Sequence, residues 1–127
     1  MGAGTLTVAG KNSALDDLVT TSGPFYLALL DGGVEETGAG AGGTAYARKA
    51  ITFAAAGSGA KANSVAVVFD NGSATDWGSA LDEWGIYDAA TTGVQIASGV
   101  LDAIRDMSIA SATLTFNIGD VIMTLSD

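Results

Sequence analysis

Few residues in this chain have the types and spacing that chemistry requires, and the most suggestive are glycines. Gly38, Gly40 and Gly43, within Gly38-Ala-Gly-Ala-Gly-Gly43, reproduce the Gly-x-Gly-x-x-Gly spacing that cradles a pyrophosphate. That cradle needs a strand before it and a helix opening at its end, because the helix N-terminus supports the phosphates. Here Ala45 to Phe53 reads as a strand, and Glu35 and Glu36 precede the glycines and would repel an anion. The tract is therefore expected to be a loop with no cofactor.

Asp70-Asn-Gly-Ser-Ala-Thr-Asp76 offers oxygen ligands for calcium. It departs from the EF-hand pattern at the third position and lacks the late Glu. Asn71-Gly72 is a strong turn signal, so a turn without metal is expected. Glu35-Glu36 and Asp82-Glu83 are adjacent carboxylates, but neighbours on a strand point to opposite faces and do not converge for acid–base work. Trp77, Trp84 and Tyr87 could stack on a sugar if all were exposed; at strand positions, core or interface is the expected use. Arg48-Lys49 is the one adjacent basic pair, expected to offset Glu35 and Glu36 in an ion pair or to meet a protein partner.

Composition narrows the chemistry further. The 127 residues include no Cys and no His, which removes the thiol nucleophile, the thiolate metal site and the commonest general base. Fourteen acidic residues against five basic ones give a net charge of −9; such a surface repels phosphate backbones, so nucleic acid is not an expected partner. The apolar runs fall well short of the ~20 residues of a membrane span. The start MGAGTL has Leu6 where a myristoylation signal needs Ser or Thr, and reads as a flexible arm over residues 1–10 ahead of a single domain over 11–127.

The elements that would hold these residues are mostly strands. Asn12 to Val19 has helical spacing, with Asn12 or Ser13 as cap and Asp16 and Asp17 near the favourable end of the dipole. From Pro24 onward the period is two. Strands are expected at Phe25–Leu30, Ala45–Phe53, Ser64–Phe69 (Val65, Val67 and Phe69 on one side), Glu83–Tyr87 and Val94–Leu101. At the end of the chain, Leu114–Ile118 and Val121–Leu125 flank Gly119-Asp120. A type II′ hairpin there would pair Ile118 with Val121, Phe116 with Met123 and Leu114 with Leu125. The fold class is all-β: an antiparallel β-sandwich or jelly-roll-like barrel with one short N-terminal helix.

In order and spacing, several motifs resemble a family of small structural proteins of tailed bacteriophages, often labelled tail-fibre-like or minor virion proteins. They are the short helix, Phe25-Tyr-Leu-Ala-Leu-Leu30, Tyr46-Ala-Arg-Lys-Ala-Ile-Thr-Phe53, Asn63-Ser-Val-Ala-Val-Val-Phe69, Trp77-Gly78, Trp84-Gly-Ile-Tyr-Asp-Ala-Ala90 and the alternating C-terminal strand. The resemblance spans Ala14 to Leu125. It implies a non-enzymatic virion component, a homo-oligomer without cofactor or metal. The first expectation is a capsid decoration or cement protein that binds the major capsid protein and bridges shell subunits; the second is a tail or fibre module. Flexible ends and long loops order on binding, which nominates Gly2, Leu6, Val8, Lys11, Glu35, Glu36, Tyr46, Arg48 and Lys49 as partner contacts.

Overall fold

The computed structural model describes residues 4–125. It is an antiparallel β fold carrying one helix, as the alternating sequence requires, and it is an open sandwich; the barrel alternative does not hold, since the strands divide into one sheet and two separate ribbons.

The helix α1 (Val8–Ser22) is longer than the expected Asn12–Val19. Its cap is Thr7, whose Oγ1 accepts the Gly10 N–H at 3.1 Å. Val8 to Gly10, assigned to the arm by sequence, are thus its first turn. Asn12 is free of capping duty and instead accepts the Gly59 N–H through Oδ1 at 2.8 Å. Asp16 takes the Ala56 N–H and the buried Lys61 ammonium on one oxygen, fixing the helix to the body.

The main sheet centres on β1 (Phe25–Asp31), which pairs with β6 (Leu81–Tyr87) on one edge; β6 in turn pairs with β7 (Gln95–Arg105). The other edge of β1 is shared by two short strands. β2 (Val34–Glu35) pairs with Leu30 and Asp31, and β3 (Lys49–Ile51) pairs with Phe25 to Leu27. The strand expected over Ala45–Phe53 is therefore only its middle, with Phe53 bridging to Asn63. The second layer consists of two ribbons, β4 (Ala60–Ala62) with β9 (Ile122–Thr124) and β5 (Val67–Asp70) with β8 (Thr113–Phe116). Leu27, Leu29, Trp84 and Ile86 of the sheet share one core with Val67, Phe69, Leu114, Phe116, Val121 and Met123 of the ribbons. Burying side chains of this size contributes about 1.5–3 kcal/mol each.

The C-terminal hairpin does not form. The turn lies one residue earlier than expected: Asp120 N–H bonds the Asn117 carbonyl at 3.0 Å, with Gly119 in its third position at φ +88°. That is a type II geometry, which splays the flanking strands where II′ would pair them. Asn63, only 1 % exposed, occupies the opening. Its Nδ2 donates to the carbonyls of Val65 and Asn117, and its Oδ1 accepts from Gly119 and Val121 N–H at 3.0 and 2.9 Å. Leu114, Phe116, Val121 and Met123 do face the core, but Ile118 faces out, and so does Val65 ahead of the shortened β5.

Candidate functional site

The polar residues that drew attention in the sequence gather around the break in the β1 edge. Between β2 and β3 no strand covers Leu29. Its N–H is met by the Tyr46 hydroxyl at 3.1 Å and its carbonyl by the Glu36 N–H at 2.9 Å. Tyr46 can reach inward because its own N–H is held by the Gly38 carbonyl, which keeps residues 45–47 out of the strand. Its ring stacks on Phe69 and meets Trp77 edge-on.

Tyr46 Oη donates onward to Glu35 Oε2 at 2.9 Å. Arg48 grips the same carboxylate with both arms, Nε to Oε2 at 2.9 Å and Nη2 to Oε1 at 2.7 Å. Its Nη1 holds the Ala89 and Thr92 carbonyls at 2.8 and 2.6 Å, and its guanidinium lies 3.8 Å over the Tyr87 ring. The bidentate fork is the strong form of this contact, and the cation over an aromatic face adds to it. Burial alone would raise the Glu35 pKa; the bonds from Arg48 and Tyr46 outweigh it and hold the carboxylate below its ordinary value. Burial, with Glu35 alongside, drives the Tyr46 phenol well above the usual tyrosine range. Neither group is poised to exchange a proton near neutrality.

Next to this cluster lies the glycine tract, and it does bind an anion: the protein's own Asp76. Both Asp76 oxygens accept the Gly40 N–H at 3.1 Å. Bonds from the backbone of Ala41, then Gly40 and Ala39, hold its pKa down. Consecutive N–H groups forming an anion-binding concavity are the physics behind the phosphate fingerprint, here satisfied internally. Gly40 is at φ +89°, and a Cβ on Gly43 would collide with the backbone of Ser73 and Ala74. Glu36 holds the start of the same loop, accepting from Thr37, Gly38 and Gly78 N–H groups.

The remaining candidates are equally committed. Asp70 accepts the Gly72 N–H. Asn71, fully buried, donates to the Met107 and Ile109 carbonyls and accepts from Ala112. With Asp76 in the glycine loop, the two ends of the supposed calcium loop serve different partners, and among the described residues no group of acidic side chains could hold a metal. Trp77 and Trp84 are buried and Tyr87 lies under Arg48, so these three do not form a platform facing solvent. An open groove of about 390 Å3 between β7 and β8 is lined by Trp84, Leu114, Thr115, Phe116 and Asp120, with Arg105 paired to Asp102 at 2.6 Å.

Of the residues expected to touch a partner, Glu35, Tyr46 and Arg48 are brought together, and Glu36 sits beside them. Lys49 is exposed on β3. Leu6 and Val8 are exposed at the start of α1, with Lys11 half-buried one turn on. Gly2 lies outside the described residues. Asn63, Asn71 and Asp76 were missed as organising side chains; only the Asn-Gly and Gly-rich turn signals lay near them.

A two-layer antiparallel domain in which Glu36, Tyr46, Arg48 and Asp76 bond to the chain's own backbone belongs to the class of open β-sandwich modules. Residues 11–124 match the model of the family described as Podophage GP4 fiber I protein gp80, and the chain belongs to that family. It is thus a bacteriophage structural protein and a component of the virion. Neither the curated proteins nor the solved structures give a match to it.

Proposed function

We propose that this chain is a module of a podophage tail fibre and works by contact, without catalysis. The observation that carries this is the match to a fibre-protein family over residues 11–124. The architecture agrees with it. Three of the charged clusters, Glu35–Arg48, Asp16–Lys61 and Asp76 in its glycine loop, close a gap in the backbone or tie a loop. Decoration of the capsid, with the major capsid protein as partner, has no comparable support.

On this reading Glu35, Tyr46 and Arg48 shape the surface from beneath, and direct contact with another virion protein falls to exposed Leu6, Val8 and Lys49. The deciding experiment is gold labelling of the protein on intact particles, combined with mass spectrometry of separated heads and tails. Label on the fibres and peptides in the tail fraction are expected. Label spread over the capsid shell would overturn the fibre assignment and restore the decoration reading.

A further inference from the structure

Each layer of the sandwich ends in a strand with one unpaired edge. Among the described residues β7 pairs only with β6, and β8 only with β5. The groove of about 390 Å3 lies between these two strands. On β8 the free groups can be named. The Asn71 N–H bonds the Ala112 carbonyl at 3.1 Å, which sets the alternation along the ribbon. Leu114 and Phe116 then exchange bonds with β5, and Thr113 and Thr115 direct N–H and C=O away from it. On β7 the ladder itself breaks. Arg105 stands opposite Leu81 and Val100 opposite Glu83, so residues 101–104 bulge against Asp82 alone. Such a bulge leaves backbone groups without ladder partners and re-aims the side chains around it.

Arg105, at the end of the bulge, is under-bonded. Its Nη2 meets Asp102 Oδ1 at 2.6 Å, but its Nε is buried and has no acceptor among the described residues. A buried donor without an acceptor costs stability and calls for an explanation. Trp84 also borders the groove. Its indole lies across Gly99, where a Cβ would fall 2.7 Å from Nε1, and no described residue accepts from that N–H. The groove therefore lacks two things: acceptors for side-chain N–H groups, and a neighbour for strand edges.

An extended polypeptide supplies both at once, by adding a strand to an open edge. A small anion would satisfy Arg105 but would meet the exposed carboxylates of Asp102 and Asp120 in the same lining. Those carboxylates favour a strand that carries Lys or Arg. We propose that the groove between β7 and β8 receives one extended, basic strand of a different polypeptide. Its apolar side chains lie toward Trp84 and Phe116, its basic ones toward Asp102 and Asp120, and its carbonyls accept from Arg105. The fibre reading does not contain this site, and the test uses the purified chain, so either can fail alone.

The test is selection of displayed random linear peptides on the full chain, followed by titration of synthetic copies of those enriched. Enriched peptides are expected to alternate apolar residues with Lys or Arg. Their binding should slow amide exchange at Thr113 and Thr115, and should weaken by about tenfold or more in Arg105→Gln. Thr115→Pro, which removes an N–H from the free edge of β8 where proline is tolerated, should weaken it likewise. Circular dichroism checks that both variants are folded; if one is not, exchange protection on the wild-type chain decides. Failure to enrich any peptide, binding indifferent to both substitutions, or protection confined to other amides each overturns the proposal. So does protection of Thr113 and Thr115 that rises with protein concentration alone, because a second copy would then fill the groove.

Discussion

The Tyr46 hydroxyl stands where a neighbouring strand would otherwise be, accepting the Leu29 N–H at 3.1 Å in the gap between β2 and β3. One phenol replaces a ladder bond and donates its own hydrogen bond to Glu35. Tyr46→Phe keeps the ring against Phe69 and Trp77 but strands the buried Leu29 N–H. A buried donor left without a partner costs about 1–3 kcal/mol. Denaturant unfolding is expected to show a loss in that range with an unchanged slope; an unperturbed midpoint would mean that water takes the hydroxyl's place.

Arg48 joins two pieces of chain distant in sequence: Glu35 on β2, and the stretch 87–92, through the Tyr87 ring and the carbonyls of Ala89 and Thr92. Its side chain is 7 % exposed and that of Glu35 25 %, so removing one partner leaves a poorly solvated charge. Arg48→Ala is expected to cost about 2 kcal/mol or more. Arg48→Lys should recover little, because an ammonium cannot reproduce the fork and the two carbonyl bonds together. Hydrogen exchange should accelerate at residues 88–93 in both variants, and Glu35→Gln combined with Arg48→Ala should cost less than the two single changes added.

What was legible in the sequence is whatever depends on period or on local turn chemistry. Phe25–Leu30 and Glu83–Tyr87 stand out because buried strands read as apolar runs between turn residues. The glycine tract reads as a loop because no helix follows it. The pairing of Arg48 with Glu35 was visible as two opposite charges in a chain with few cations. By contrast, side chains that replace backbone partners carry no period. Asn63 has no spacing relation to Asn117 or Val121, and Asp76 lies 36 residues from Gly40. The hairpin expectation failed there: the alternation of Leu114–Ile118 and Val121–Leu125 predicts faces correctly for Phe116 and Met123, but says nothing of which strand lies alongside. Thr7 does not stand out as helix cap in the sequence because the apolar periodicity becomes evident only at Ala14.

Acid should loosen the structure from several points at once. Asp16, held by Lys61 and the Ala56 N–H, Glu35, held by Arg48 and Tyr46 against the pull of burial, and Asp76, held by the glycine loop, all have pKa values lowered on folding. A carboxylate with a lowered folded-state pKa stabilises fully above its ordinary value, 3.8 for Asp and 4.5 for Glu. That contribution drains away as pH falls through the unfolded and then the folded value. Thermal unfolding is therefore expected to be insensitive to pH near neutrality and to weaken steeply below the carboxylate range. Asp76→Asn should make that acid limb shallower. A limb of unchanged steepness would show that the loop does not depend on the charge of Asp76.

Asn63 should be the least replaceable polar residue of the ribbon layer. Its amide donates to two carbonyls and its oxygen accepts from two N–H groups, so each end of the side chain has a fixed identity. Asn63→Ala orphans the Val121 N–H, at about 1–3 kcal/mol if water does not reach it, whereas the Gly119 N–H keeps the Asn63 main-chain carbonyl at 3.1 Å. Asn63→Asp is almost the same size, yet at neutral pH it places a buried carboxylate oxygen against the Val65 and Asn117 carbonyls, and is expected to cost more than the alanine. Protonation would turn that oxygen into a donor again, so the penalty of Asn63→Asp relative to Asn63→Ala should shrink as the pH is lowered. Gly119→Ala provides the control for the turn itself. Nothing lies within 4 Å of the added Cβ, so its cost is the left-handed backbone alone, about 1 kcal/mol. Unfolding free energies of the three variants, compared at neutral and acidic pH, test the ranking Asp above Ala above the glycine change. An aspartate milder than alanine at neutral pH would show that the amide's donors are dispensable and that only the oxygen holds the ribbons together.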